Sequence, residues 1–146
     1  MITLIQRVSS ASVSVNDQRI GQCAGQGILA LIAIEPTDTP HNAQRLVERI
    51  LNYRIFADRQ HKMNLSLRDI EGGLLIVPQF TLAANTDKGN RPSFTSAASP
   101  ELAQKLFAYV QSYAKQHYPI TEFGQFGADM QVALVNDGPV TFKLCA

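Results

Sequence analysis

The stretch that most constrains this chain is Ile28-Leu29-Ala30-Leu31-Ile32-Ala33-Ile34, a continuous apolar run bounded by Gly27 and Pro36. It falls far short of the roughly 18–20 residues that cross a bilayer. It also leaves no alternate polar positions to face water. Part β-branched and closed off by turn residues, it reads as a strand buried on both faces. A second run of the same kind, Leu74-Leu75-Ile76-Val77, follows Gly72-Gly73. Two such strands call for a sheet with further layers packed against it.

The surrounding pattern supplies those layers. Residues 2–15 read as a strand in which Ile2, Leu4 and Val8 share one parity and Ala11, Val13 and Val15 the other, so a bulge or bend is expected near Ser9-Ser10. Asn16-Asp17-Gln18 is a turn, and Arg19 to Cys23 a short returning strand. Gly25-Gln26-Gly27-Ile28-Leu29-Ala30 has the form G-x-G-x-x-A, but a dinucleotide site needs a helix after it and a strand follows here; the glycines read as a turn. Thr39 and Pro40 open a helix as cap and first residue. Ala43, Leu46, Val47, Ile50 and Leu51 then form one apolar stripe, with the end expected near Ile55 or Phe56. Asp58 to Asp69 reads as a polar loop, and Ala83 to Ser99 as a long loop carrying Asp87, Lys88, Arg91 and Pro92. Ser99-Pro100-Glu101 starts a second helix, striped by Leu102, Ala103, Leu106, Phe107, Val110, Tyr113 and Ala114 and stopped by Pro119. Strands follow at Thr121–Phe126, Met130–Val135 and Thr141–Leu144. The expected fold is α+β and mostly β: a twisted antiparallel sheet curled into a barrel-like core, with two helices packed on one side.

Bulk properties narrow the function. A chain of 146 residues suits one domain, residues 1–146, and 45% hydrophobic against 17% charged residues is a globular composition. A net charge of +1 excludes a protein that coats nucleic acid by bulk charge, but not one that grips a short RNA end locally. Cys23 and Cys145 have neither metal-ligand nor redox spacing and read as reduced cysteines of a cytoplasmic protein. The N-terminal residues lack the apolar core of a signal peptide, so neither secretion nor a membrane partner is expected. His41, His61 and His117 are scattered and read as solvated surface residues; no H-x-x-x-H or Cys/His cluster points to a metal. No G-x-S-x-G elbow is present. An enzyme of this composition has backbone amides, a hydroxyl and the substrate itself to work with, and no cofactor is expected.

Two stretches carry such groups. In Pro78-Gln79-Phe80-Thr81-Leu82, Gln79 and Thr81 share strand parity, so an amide and a hydroxyl can face one cleft at a strand end, or be ordinary sheet-edge polarity. Asn136-Asp137-Gly138-Pro139-Val140-Thr141 has strong turn chemistry between two apolar strands. It reads as a hairpin turn or as a stiff ridge presenting backbone carbonyls to a ligand.

Together these motifs resemble the D-aminoacyl-tRNA deacylase family, whose signatures are Ser-Gln-x-Thr-Leu and Asn-x-Gly-Pro-x-Thr. The likeness extends through Ile5-Gln6-Arg7-Val8, Tyr53-Arg54-Ile55-Phe56, Lys62-Met63-Asn64, Arg91-Pro92-Ser93-Phe94 and Ala128-Asp129-Met130, over essentially the whole chain. The resemblance implies a homodimer of barrel-like subunits acting on the 3′ end of a tRNA that carries a D-amino acid or glycine, with no DNA or membrane partner. It implies that Gly138 and Pro139, joined by a cis peptide, form a ridge that enters the partner's pocket and rejects L side chains by collision. Phe80 would lend its backbone N–H to the oxyanion, Gln79 would hold the terminal adenosine or the neighbouring backbone, and Thr81 would be either a nucleophile or a positioning hydroxyl beside the ribose 2′-OH. The family's serine is Pro78 here, which removes a hydroxyl and a donor. A tRNA-binding dimer without activity, and a small-molecule esterase with Thr81 as nucleophile, are the alternative readings.

Overall fold

The computed structural model describes residues 1–146. In chain order it contains β1 (Ile2–Val15), β2 (Gln18–Ala33), α1 (Pro40–Asn52), β3 (Phe56–Ala57), β4 (Met63–Leu65), α2 (Leu67–Ile70), β5 (Gly73–Pro78), a 3-10 turn (Phe80–Ala83), α3 (Pro100–His117), β6 (Thr121–Phe123) and β7 (Gln131–Cys145). Asn16 and Asp17, at φ of 49° and 61°, form the two-residue hairpin between β1 and β2. Their short polar side chains tolerate the left-handed angles that such a turn demands.

The main sheet has the order β6-β5-β2-β1-β7. The three long strands β2, β1 and β7 pair antiparallel, as the sequence led us to expect. β5 joins β2 in parallel and β6 joins β5 in parallel. The reason lies in the connections: α1 intervenes before β5 and α3 before β6, and a helical crossover returns the chain to the same end of the sheet. The first half of β2 also reaches β6, two places away in the sheet, where the Gln22 N–H donates to the Glu122 carboxylate at 2.6 Å. The result is an α+β fold, mostly strand, and no helix is long and apolar enough to cross a membrane.

Burial follows the sequence pattern on both faces of β2. Ile28, Ala30 and Ile32 face the helices in a core shared with Ile5, Leu74, Ile76 and the stripes of α1 and α3. Leu29 faces the other way, in a smaller cluster with Val8, Val13, Cys23, Leu75 and Val77. The α1 stripe is buried as read, ending at Leu51; on α3 Ala103, Leu106, Phe107, Val110 and Ala114 are buried, while Leu102 and Tyr113, read into the same stripe, are half-buried at its margins. Ser99 caps α3 by accepting from the Leu102 N–H at 3.3 Å.

Four local expectations are corrected. Arg19–Cys23 and the apolar run are one strand, because Gly25 and Gly27 belong to a bulge rather than a turn: Val8 pairs with Gly27 but Ser10 with Ala24, and Gly25 takes φ of +95°. This bulge lies opposite Ser9-Ser10, where the parity switch was read. Helix α1 stops at Asn52, and the buried Ile55 and Phe56 continue in extended chain. The polar stretch 58–69 is ordered: Asp58 accepts from the N–H groups of Gln60 and Lys62 and from the Asn64 amide, turning β3 back onto β4. There Ser66 and Asp69 form a capping box for α2. Finally, Asn136–Thr141 is not a hairpin turn. β7 pairs with the same strand, β1, on both sides of it, so the Gly-Pro segment is an excursion within a single strand.

The Met1 amine is also tied in, at 2.5 Å from the Asp38 carboxylate and 2.8 Å from Glu35.

Candidate functional site

The first motif lies where β5 ends. Pro78 is level with Ile32 of β2, and the Gln79 N–H donates to the Ile32 carbonyl at 2.7 Å. The Ile76 carbonyl accepts from the Gly124 N–H on the other side. Pro78 offers no N–H on that side, so the pairing toward β6 ends there, while the Gln79 bond to Ile32 keeps the strand end on β2.

Beyond Gln79 the chain tightens into the 3-10 turn. This turn, more than strand parity, brings Gln79 and Thr81 together: the Gln79 amide donates to the Thr81 hydroxyl oxygen at 2.6 Å. The turn's own bonds run from the Leu82 N–H to Gln79 and from the Ala84 N–H to Thr81. The first amides of a helical turn have no acceptor within it, so those of Phe80 and Thr81 remain unengaged by the turn. Pro78, Gln79 and Phe80 line a cavity of about 500 Å³ shared with Phe126, Asp129 and Met130. The Phe80 ring is 57% exposed and packs on Phe94 with centroids 5.1 Å apart. Chemically, this corner offers two adjacent N–H donors, a hydroxyl oriented by an amide, and an apolar cavity beside them. The Thr81 hydroxyl is held by a group that cannot accept a proton.

The second motif is clamped from beneath. Within the excursion, Asn136 accepts from the Val140 N–H at 2.9 Å and donates to the Thr141 hydroxyl at 3.0 Å. Gln6 donates to the same hydroxyl at 3.3 Å. The Gly138-Pro139 peptide is cis, both residues are exposed, and Val140 is buried behind them. Arg7 lies under the tip with a side chain only 14% exposed. Its Nε donates to the Asp137 carbonyl and sits 3.1 Å from the Asp137 carboxylate, while Nη1 donates to the Ile55 carbonyl at 2.7 Å. Gln6 and Arg7 were not singled out as site residues from the sequence. The available signal was that Arg7 is the one charged residue of β1, within a stretch shared with the family.

The two motifs are not brought together within one chain. The excursion is level with Arg7, which pairs with Ile28, whose partner on β5 is Leu74; Pro78 lies four residues farther on. β7 and β5 are three strand spacings apart. At ~3.3 Å per residue and ~4.8 Å per strand, the separation over the sheet is about 20 Å.

Comparison with known proteins places this geometry in context. Residues 4–145 match the family described as D-Tyr-tRNA(Tyr) deacylase. A D-aminoacyl-tRNA deacylase from Pseudomonas fluorescens (strain Pf0-1) is 57% identical over 141 residues, covering 97% of each chain. One from Stenotrophomonas maltophilia (strain K279a) is 57% identical over 145 residues, covering 99% of each. Among solved structures, one titled c-Myc DNA Unwinding Element Binding Protein superposes with a TM-score of 0.94 at 37% identity, covering 100% of this chain and 99% of that one. A probable eukaryotic D-amino acid tRNA deacylase has the same fold, with a TM-score of 0.87 at 17% identity, covering 98% of this chain and 97% of that one.

Proposed function

The chain belongs to the D-Tyr-tRNA(Tyr) deacylase family, and from that premise we propose that it hydrolyses the ester joining a D-amino acid, or glycine, to the terminal adenosine of tRNA in the cytoplasm. One observation carries the reading: the turn leaves the amides of Phe80, which lines the cavity, and of its neighbour Thr81 without a backbone acceptor, beside the Gln79–Thr81 hydrogen bond. The Phe80 amide, with that of Thr81 beside it, is the donor for the oxyanion that develops as water attacks the ester, and one such donor is worth about 2.7–4 kcal/mol. Thr81, held by Gln79, positions the terminal ribose. It does not act as nucleophile, since its partner is an amide with no basic site. The ribose 2′-OH then assists the attacking water.

Chiral selection belongs to Gly138 and Pro139. Their exposed backbone, braced by Arg7 and Asn136, suits a ridge that collides with an L side chain and leaves glycine unopposed. The separation of about 20 Å over the sheet makes it unsuited to the pocket of its own chain, which supports a homodimer in which each ridge enters the partner's cavity. The exposed Leu134, Val135 and Phe142 of β7 supply apolar surface for that contact.

Incubation with D-Tyr-tRNA and L-Tyr-tRNA tests the proposal, and release of the D-amino acid alone is expected. Binding without release would identify a non-catalytic tRNA-binding dimer, and turnover of simple esters but not charged tRNA an esterase. Thr81→Ala retains measurable deacylation if Thr81 positions; complete loss in a folded variant would make it the nucleophile.

A further inference from the structure

Past the 3-10 turn, the loop from Ala84 to Ser99 folds on itself. Asn85 and Ser93 exchange backbone hydrogen bonds at 2.8 and 3.0 Å, closing the neck of the loop. The Asn85 side-chain oxygen accepts from the Asp87 N–H at 2.9 Å, which stiffens one wall. The open cradle beside it measures about 320 Å³ and is lined by Asn85, Asp87, Lys88, Arg91, Ser93 and Thr95, with no apolar side chain among them. The Ser93 and Thr95 hydroxyls are hydrogen-bonded to each other at 3.1 Å. Neither Lys88 nor Arg91 forms an ion pair, and the Asp87 carboxylate lies beyond salt-bridge reach of both. Two cations against one carboxylate leave the cradle net positive in a protein whose overall charge is only +1.

The cradle is anchored to the cavity described above. Phe94, between the two hydroxyl residues, packs on Phe80, which lines that cavity. Ser96 hydrogen-bonds the Ala83 carbonyl at the end of the 3-10 turn. Phe94 thus ties the cavity to the loop whose cradle Lys88 and Arg91 line. A guanidinium, an ammonium and hydroxyls facing one small polar cradle fit a phosphate.

Resting on the deacylase reading, we propose that this cradle binds a backbone phosphodiester of the single-stranded tRNA 3′ end, on the 5′ side of the terminal adenosine, with Lys88 and Arg91 as its binding residues. It supplies affinity for the tRNA and takes no part in the chemistry.

The test compares the full-length protein with a Lys88→Ala/Arg91→Ala variant on two substrates, D-Tyr-tRNA and D-tyrosyl-adenosine, which has the ester but no phosphate. On D-Tyr-tRNA, kcat/KM should fall at least tenfold through KM. The slope of log kcat/KM against log salt should become shallower by about 0.7 for one lost single-strand phosphate contact. On D-tyrosyl-adenosine the two proteins should be equal. An equal loss on both substrates, or no loss on tRNA, overturns the proposal. Failure of the unmodified protein on both substrates overturns the deacylase reading instead. Inorganic phosphate at constant ionic strength, altering nucleoside hydrolysis in the unmodified protein and not in the variant, would reassign the cradle to a free anion. Arg91→Lys should recover part of the loss, and Lys88→Gln provides a single-site check if the double variant folds poorly.

Discussion

Two glycine substitutions separate backbone angle from local crowding. Gly25 and Gly138 both have left-handed backbones, at φ of +95° and +129°. A Cβ at Gly25 meets nothing within 4 Å. At Gly138 it falls 2.7 Å from Val140 Cγ2, 2.9 Å from Arg7 Nη2 and 3.2 Å from the Val140 nitrogen. Either alanine carries a conformational cost of about 1–3 kcal/mol. Only Gly138→Ala must also turn Val140 off its rotamer, at about 0.5–1.5 kcal/mol, and displace a guanidinium whose hydrogen bonds are worth roughly 1.5–3 kcal/mol each. Arg7 is the far end of a flexible chain and gives partly, so the expected excess over Gly25→Ala is about 2 kcal/mol, or ~1 M in urea midpoint at a typical slope. Equilibrium urea unfolding measures it. Hydrolysis of D-Tyr-tRNA and L-Tyr-tRNA by the folded proteins reads the function: Gly25→Ala should match the parent, and Gly138→Ala should change the D-to-L ratio. Equal midpoints would show that the bracing around Gly138 is compliant, and an unchanged ratio would refute its role in selection.

The Met1 amine gives a pH test: burial lowers its pKa, but hydrogen bonds and charge from Asp38 and Glu35 outweigh this and raise it above the ordinary 8.0. Its contribution is complete below about pH 8 and lost as pH rises through the raised value. With Glu35 still in place, Asp38→Asn should therefore cost about 2 kcal/mol near neutrality, the worth of a hydrogen bond to a charged group, and flatten the alkaline slope of the unfolding midpoint; an unaltered slope refutes the assignment. Thr3 is fully buried and its hydroxyl has no partner. Thr3→Val should gain about 1 kcal/mol, read as a higher urea midpoint, whereas a loss would show that the hydroxyl is satisfied. Burial, with the nearby Glu122 charge, pushes the Cys23 thiol up, while Cys145 is exposed. Ellman's reagent at pH 8 should titrate one thiol in the native protein and two in denaturant; two native thiols would mean that Cys23 is accessible.

Much of the fold was legible because period and burial agree. Ile28 to Ala33 had to be covered on both faces and is, with only Leu31 left half-buried, and the centres of the α1 and α3 stripes are buried. Strand direction was not legible, because a crossover's handedness and return are properties of the assembled layers rather than of β5 or β6 alone. The Gly-Pro segment misled for a related reason. Its six residues have turn chemistry whether the chain reverses afterwards or resumes, and only pairing with β1 on both sides distinguishes the two. At the candidate site, Gln79, Phe80 and Thr81 were singled out from their types and order, but the 3-10 turn that joins them follows the end of the ladder at Ile32. Arg7 lay hidden because its partners, Ile55 and Asp137, are distant in sequence.

β1 has a consequence in time. It is made first and acquires β2 at once through a two-residue turn, but its other neighbour, β7, is synthesised last. Throughout elongation one long edge of β1 stands unpaired, the kind of edge that recruits foreign strands. Contacts this distant along the chain also form slowly. The Gly-Pro segment, carried on β7, is therefore among the last elements to be placed, and a nascent chain stalled before it holds the β5 corner without that segment. Ribosome-associated chains truncated before Gln131 should accordingly be more prone to aggregate than the released protein, and any control over its abundance that acts during synthesis has this exposed edge to work on.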